Sequence, residues 1–174
     1  MSLQIQFELC IRLAIALALS ALVGYERERH GEAAGLRTHM LVGLGAALFT
    51  GLSIFAFGPS SADRIAAQIV SGIGFLGAGA IIQRQDAHYP RGITTAAGIW
   101  AVAAIGMASG TGAYVLAAFG AVLIVFVQGV LLRISERINP VAHEDEAAQS
   151  GEPPGEPPGT PIDPEAVGDV RRKG

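Results

Sequence analysis

Uncharged residues fall into four long runs along the chain, and the lengths of these runs predict a membrane protein. About 20 apolar residues in a helix cross the roughly 30 Å hydrocarbon core, so a run of 41 residues is long enough for two spans. The sequence Ser-Gly-Thr-Gly at 109–112 is the turn signal that divides this longest run. The runs cover residues 13–25, 38–62, 65–83 and 92–132. The predicted helices are residues 5–25, 38–57, 65–83, 93–108 and 113–132.

The first predicted helix contains a charged residue, Arg12, and needs a separate argument. Its uncharged run of 13 residues is too short to cross a bilayer alone. Glu8 precedes Arg12 by four residues, the favourable order for a helical ion pair, and a long side chain near a helix end reaches the interface. The alternative is a cleaved signal peptide, which the absence of Lys or Arg before the apolar region disfavours.

Small residues recur at four-residue spacing within the predicted helices. Because lipid provides little hydrophobic drive between helices, such faces permit the close backbone approach that holds a bundle together. The glycine-rich run at residues 72–77 matches a dinucleotide fingerprint, but no strand precedes it and no acidic residue follows at the required distance. We interpret it as a membrane helix that can unwind locally. The small-residue faces are Ala16-Ser20-Gly24, Gly43-Ala47-Gly51, Gly98 with Gly106, and Ala113-Ala117-Ala121.

Composition divides the chain near residue 138. Of the 174 residues, 51% are hydrophobic and 16% charged, whereas the segment 139–174 holds seven of the nine prolines and eight acidic residues. Such a segment buries too little apolar surface to offset chain entropy. We therefore predict an all-α polytopic membrane domain over residues 1–138 and a disordered tail over 139–174. With one cysteine, Cys10, and one lysine, the chain has no disulfide framework and no basic footprint for nucleic acid.

The arginines indicate how the bundle is oriented. Five spans place seven arginines in the loops on one side and only Arg64 on the other. The positive-inside rule makes the arginine-rich side cytoplasmic, with the N-terminus periplasmic and the tail cytoplasmic. The seven are Arg27, Arg29, Arg37, Arg84, Arg91, Arg133 and Arg137.

The predicted cytoplasmic edge carries most of the candidate functional residues. Two helix N-termini, each with a threonine able to cap it and an arginine beside it, are expected next to the end of the first helix. Such an edge suits a phosphate, a carboxylate or a lipid headgroup, and the equally weighted alternative is ordinary interfacial anchoring. The residues are Glu26, Arg27, Arg37, Thr38, Arg91, Thr94 and Thr95.

Within the third helix, Gln68 lies on a stripe with Ser71, Gly72, Phe75 and Gly79, and we expect it to face the bundle interior. Interhelical hydrogen bonding is the simpler explanation of this glutamine, and ligand contact is the alternative. No nucleophile–base pair, paired carboxylates or metal-ligand spacing is visible, so we expect neither an enzyme nor a bound cofactor, and the metal question stays open.

Three segments resemble the membrane domain of the MgtC/SapB family. They are Val-Gly-Tyr-Glu-Arg at 23–27 with Ala-Gly-Leu-Arg-Thr at 34–38, the run 64–79, and Arg-Gly-Ile-Thr-Thr-Ala-Ala at 91–97 with Trp100 and Ala101. The resemblance adds Arg64 to the candidate residues, its second segment includes Gln68, and it implies that the acidic residue Glu26 is functional.

The resemblance implies an inner-membrane protein of bacteria from a family linked to growth in low Mg²⁺ and survival inside macrophages. Such members resemble regulators that bind other membrane proteins, including the proton-translocating ATP synthase. This chain departs from virulence-type members, which carry an ACT-like domain after the last helix. It also departs in the loop His88-Tyr89-Pro90 and at Gly98. At position 98, relatives usually have a polar or β-branched residue.

Three functions compete. The first is a regulator that contacts partner proteins, membrane lipids or a second copy of itself through helices in the bilayer. The second is a transporter or channel for Mg²⁺ or another small ion, disfavoured by the lack of a carboxylate within the last four spans. The third is a lipid-headgroup enzyme, for which no nucleophile and base are visible.

The orientation predicts which loops can be labelled from outside the cell. In a cysteine-free background, single cysteines at Ser61 and Thr111 should react with a membrane-impermeant maleimide added to intact cells. A cysteine at Ala87 should react only after the membrane is opened, because its loop belongs to the arginine-rich side. Labelling of position 87 in intact cells would reverse the orientation.

Overall fold

The computed structural model describes residues 1–82 and 92–138, with side chains described for residues 1–58, 62–81 and 92–130. These residues form five α-helices, which confirms the all-α fold class. Arg91 and the predicted disordered tail, 139–174, lie outside the described residues. The helices are α1 (Leu3–Arg29), α2 (Leu36–Phe55), α3 (Pro59–Ile82), α4 (Ile93–Thr111) and α5 (Tyr114–Ile138).

The helix ends differ from the prediction because charged residues at the ends belong to the helices. α1 continues to Arg29, and α3 begins at Pro59, so Asp63 and Arg64 lie in its first turns. A helix that crosses the hydrocarbon core extends into the polar interface, where such residues are tolerated. α3 is helical throughout its glycine-rich segment, so the local unwinding considered from sequence is not observed.

Among the described residues, four helices are long and apolar enough to cross a membrane, and the chain is a membrane protein. They are Leu3–Arg29, Leu36–Phe55, Ala62–Ile81 and Ile93–Thr111, while α5 contributes a shorter apolar stretch, Tyr114–Val130. Residues 1–132 form one unit of the chain, and 133–174 form a second that contains the last residues of α5. The fifth crossing and the orientation stay predictions.

α2 and α4 approach each other at backbone distance through small residues. A Cβ atom on Gly106 would lie 2.3 Å from the carbonyl oxygen of Gly43, and one on Gly110 would lie 2.7 Å from that of Ala47. No real side chain fits at such distances, so glycine is required at both positions of α4. The predicted small-residue faces of α2 and α4 are therefore packing surfaces.

α4 lies between two apolar clusters. The first joins α4 to α1 and α5, and the second joins it to α2 and α3. Because α4 contributes residues to both, it is the central helix of the unit. The first cluster consists of Val23, Val102, Ile105, Ala117 and Ala121. The second consists of Ala46, Ile69 and Ala103.

Arg12 is buried where the α4–α5 turn meets α1, with 9% of its surface exposed. Its Nη1 donates to the carbonyl of Gly110 at 2.9 Å, its Nη2 pairs with Glu8, and its guanidinium lies 5.0 Å from the centre of the Phe55 ring. The predicted Glu8–Arg12 pair is confirmed. A charged group in this position needs such partners, because an unpaired charge is costly to bury.

Gly112 ends α4 in a left-handed conformation, with φ of +87°. This conformation lets the amide of Ala113 donate to the carbonyl of Ala108 at 2.9 Å, which closes the helix end. A Cβ at position 112 would lie 3.2 Å from the Arg12 guanidinium. Glycine at position 112 therefore has two roles: it permits the left-handed conformation of the turn, and it leaves space for the Arg12 guanidinium.

Gly112→Ala should destabilise the protein more than Gly58→Ala. Both glycines have a positive φ, +87° and +84°, so both substitutions incur the strain of about 1–2 kcal/mol of the left-handed conformation. Only position 112 adds crowding against Arg12, since a Cβ at position 58 meets nothing within 4 Å. Thermal unfolding in detergent measures the difference, and equal melting temperatures would contradict the role of the arginine contact.

Candidate functional site

A network of three side chains joins α1, the loop that follows it and α4. Arg27 is 1% exposed, and its Nη2 lies 3.0 Å from the carboxylate of Glu32 and 3.2 Å from the hydroxyl of Thr95. The Thr95 hydroxyl in turn donates to Glu32 at 3.1 Å. We call Arg27, Glu32 and Thr95 the arginine network. Removing one partner of such a buried pair strands a charge, which typically costs about 3–5 kcal/mol.

The start of α2 is capped by a residue of α1. The Oε2 of Glu28 accepts a hydrogen bond of 2.6 Å from the amide of Leu36, and a Cβ on Gly35 would lie 2.7 Å from that oxygen. The carboxylate thus occupies the place where an anion was expected. Arg37 and Thr38 are exposed on the first turn of α2.

Neither Thr38 nor Thr95 caps a helix, contrary to expectation. The N-cap residues are Gly35 and Gly92, which have no side chain of their own to accept a cap bond, and at α2 the carboxylate of Glu28 takes that role. Both threonines lie inside their helices, and the amides of each helix start precede them in the chain. Thr95 instead belongs to the arginine network, and Thr94 is exposed and lines a groove between α4 and α5.

Glu26 is half-buried beside the arginine network. One carboxylate oxygen lies 3.5 Å from Nδ1 of His30, and the same oxygen would lie 3.0 Å from a Cβ on Gly129 of α5. About a fifth of the side chain, 21%, is exposed, so the carboxylate packs on α5 while remaining accessible. Among the predicted residues, the structure therefore brings Glu26, Arg27 and Thr95 to one end of the bundle.

Two buried polar residues near this end were not among the predicted site residues. His39 is completely buried, with Nδ1 lying 2.9 Å from the carbonyl of Gly35, and Gln128 of α5 is 8% exposed. Within the described part of the chain, His39 Nε2 and Gln128 Oε1 have no hydrogen-bond partner. A polar residue in an uncharged span is the sequence signal that marks both, because such residues need an interior partner.

The prediction that Gln68 faces the bundle interior is wrong. Ile69 is the buried residue of this turn and packs with Ala46 and Ala103, while Gln68 is exposed. Gln68 lines an apolar groove of about 490 Å³ between α2 and α3. The inward face of α3 follows Ile65, Ile69 and Ile73, because branched apolar side chains fill the space against the small residues of α2 and α4.

The exposed surface of α3 therefore carries the predicted stripe of polar, glycine and aromatic residues. Gln68, Ser71, Phe75 and Gly79 are all exposed, and we call these four residues the outer face of α3. Arg64 is exposed near the start of the same helix, away from the arginine network in sequence and structure. In the described residues, no three His, Cys, Asp or Glu side chains lie close enough to hold one metal ion.

Comparison with known proteins finds several bacterial relatives that are 42–47% identical to this chain. The chain is 42% identical over 139 residues to the putative magnesium transporter YhiD of Escherichia coli K12, covering 75% of this chain and 64% of that protein. It is 45% identical over 145 residues to protein MgtC of Salmonella typhimurium LT2, covering 82% and 61%, and 47% identical over 119 residues to protein MgtC of Brucella abortus, covering 68% and 49%.

The match thus spans less than two thirds of the length of these relatives. No solved structure matches the chain. The region matched by a family model, residues 13–137, contains α2, α3 and α4, α1 from residue 13 and nearly all of α5. It also contains the arginine network, the outer face of α3 and all the segments that carry the resemblance seen in the sequence. Residues 13–137 match the MgtC family over most of the chain, and the protein belongs to that family.

Proposed function

We propose that this chain is a non-catalytic protein of the bacterial inner membrane that supports adaptation to low Mg²⁺ by binding and regulating other membrane proteins. Family membership supports the link to magnesium, since one relative carries the name of a putative magnesium transporter. The proton-translocating ATP synthase is a candidate partner, and a role in intracellular survival belongs to the same proposal.

The observation that carries the proposal is the outer face of α3. Gln68 and Ser71 lie within the candidate membrane span Ala62–Ile81, and both are exposed. A polar side chain that faces lipid loses its hydrogen bonds, so such residues favour contact with another helix. Gly72, Gly74 and Gly79 have open space where a Cβ would stand, which permits a partner backbone to approach closely. A helix of another membrane protein fits this surface.

Transport of Mg²⁺ or another small ion is the second candidate function, and the name of the Escherichia coli relative favours it. The two functions differ in what purified protein does alone. A transporter reconstituted in liposomes moves its ion without any other protein, whereas a regulator has no flux of its own. Ion flux that depends on the purified chain would decide for transport.

A photo-crosslinker at Phe75 should capture a partner membrane protein in living cells. Phe75 is 81% exposed on the outer face of α3, so a benzoylphenylalanine there lies in the proposed contact. The matched control is Phe119 of α5, 60% exposed on a different helix, which should react mainly with lipid. Mass spectrometry identifies the captured protein.

Gln68→Leu should abolish this crosslink while the melting temperature in detergent changes little, because Gln68 is exposed and forms no hydrogen bond with the other described residues. A crosslinked product of twice the chain mass would identify a second copy as the occupant instead. Capture of lipid alone at both positions would refute the proposed contact.

Glu26→Gln should remove the growth benefit in low Mg²⁺ while the protein still accumulates in the membrane. The carboxylate is partly accessible, and its pair with His30 is of the kind that contributes only about 0–1 kcal/mol. Glu32→Gln is the matched control, since it breaks the arginine network and should lower the melting temperature. If cells with the variant grow as well as cells with the unmodified chain, Glu26 is dispensable.

A further inference from the structure

The groove between α2 and α3 has a floor of small residues and larger apolar side chains at its edges. Ala46 is a buried lining residue, and a Cβ on Gly45 would meet nothing within 4 Å. Phe49 and Leu76 also line the groove and are exposed. The space is about 490 Å³ and lies between residues 41–49 of α2 and 65–76 of α3. We call it the α2–α3 groove.

The α2–α3 groove has the length of one leaflet of a bilayer. At a rise of 1.5 Å per residue, the segment 65–76 of α3 extends about 16 Å, which is about half of the roughly 30 Å hydrocarbon core. Both segments that line the groove lie within candidate membrane spans. The groove therefore lies at the depth of the acyl chains of one leaflet.

The volume of the groove separates an acyl chain from a helix as its occupant. A helix is about 10–12 Å wide with its side chains, so over 16 Å it takes up roughly 1,200 Å³ or more. This is more than twice the 490 Å³ of the groove. A helix could therefore only lie across the groove, whereas a single hydrocarbon chain can lie inside it.

The polar groups of the groove lie at one end. Gln68 is the only polar side chain among its lining residues in the described part of the chain. Arg64 precedes Gln68 by one turn on the same side of α3, and it is the third residue of the candidate span Ala62–Ile81. Asp63 is two residues before Ile65, about 200° around the helix, and so lies on the side away from the groove.

Arg64 supplies a charge that the described residues leave unpaired. It is exposed and forms no ion pair with them. A long side chain near a helix end reaches the membrane interface, and a guanidinium binds phosphate through two parallel hydrogen bonds. A positive charge at one end of an apolar groove matches a molecule with an anionic head and a hydrocarbon chain.

We propose that the α2–α3 groove binds one acyl chain of a membrane phospholipid, with the phosphate of that lipid paired with Arg64. The second chain of the lipid lies in the surrounding bilayer. Ser71, Phe75 and Gly79 of the outer face of α3 do not line the groove, so the lipid and the proposed partner can be bound together. The proposal is thus independent of the regulatory function proposed above.

Two substitutions should weaken lipid binding at opposite ends of the molecule. The full chain, stripped of lipid in detergent, is titrated with dipalmitoyl phosphatidylglycerol, and native mass spectrometry counts the bound lipids. One lipid should bind more tightly than those that follow. Arg64→Gln should weaken this first binding about tenfold, because it removes a charged hydrogen bond. Gly45→Leu should weaken it at least as much, because the leucine side chain enters the space for the acyl chain.

Each substitution has a matched control. Gly120→Leu replaces a glycine of α5 whose Cβ also meets nothing within 4 Å, and Arg29→Gln removes an exposed arginine of α1. Neither should change the affinity. Dipalmitoylglycerol, which has the same chains and no phosphate, should bind more weakly than the phospholipid and be insensitive to Arg64→Gln. Equal effects of a substitution and its control would overturn the proposal, as would a dimer of the chain that Gly45→Leu dissociates while lipid binding is unchanged.

A second measurement uses the unmodified chain and does not depend on the folding of any variant. Phosphatidylglycerol that carries a diazirine in the middle of one palmitoyl chain is added in detergent and activated by light. The label should be recovered in the peptides that contain residues 41–49 and 65–76. Label spread evenly over these peptides and those of α5, which carries exposed apolar residues such as Val115 and Phe119, would also overturn the proposal.

Discussion

The close approach of α2 and α4 is the constraint on which the rest of the structure depends. With the backbones in contact at Gly106 and Gly110, the two helices leave little volume between them, and the other helices pack around this pair. In lipid, dispersion contacts and interhelical hydrogen bonds must hold a bundle together, and both require short distances. The same closeness brings His39 of α2 next to Gly98 of α4.

Buried arginines mark both ends of this packed core. Arg12 reaches the carbonyl of Gly110, and Arg27 reaches the hydroxyl of Thr95, so each ties α1 to one end of α4. Each also has a carboxylate partner, Glu8 or Glu32. A guanidinium offers five donors in a fixed plane, which lets one side chain satisfy a carboxylate and a second acceptor together. The arginines thus fix the register of α1 against α4.

The sequence predicts the helices and their packing faces well, because both depend on local properties. Run length, apolar composition and the spacing of small residues do not change with the neighbours of a helix. The rotation of α3 and the partners of Thr95 and Glu28 depend on which helices surround them. Gln68 was misplaced because the inward rule for polar residues considers one helix alone, and Ile65, Ile69 and Ile73 take the inward positions of α3.

α3 differs from the central helix in a way that bears on function. Only 11% of its spanning window is buried, against 50% for α4. Its inward contacts are made by Ile65, Ile69 and Ile73, away from the outer face of α3. A change in what touches the outer face therefore does not involve the α2–α4 contact or the two buried arginines. The proposed partner would therefore contact the exposed side of α3 and leave the core folded. The isoleucines that hold α3 to the core and the residues proposed to meet a partner lie on different faces of the same helix, so a change on the outer face leaves the packed face in place.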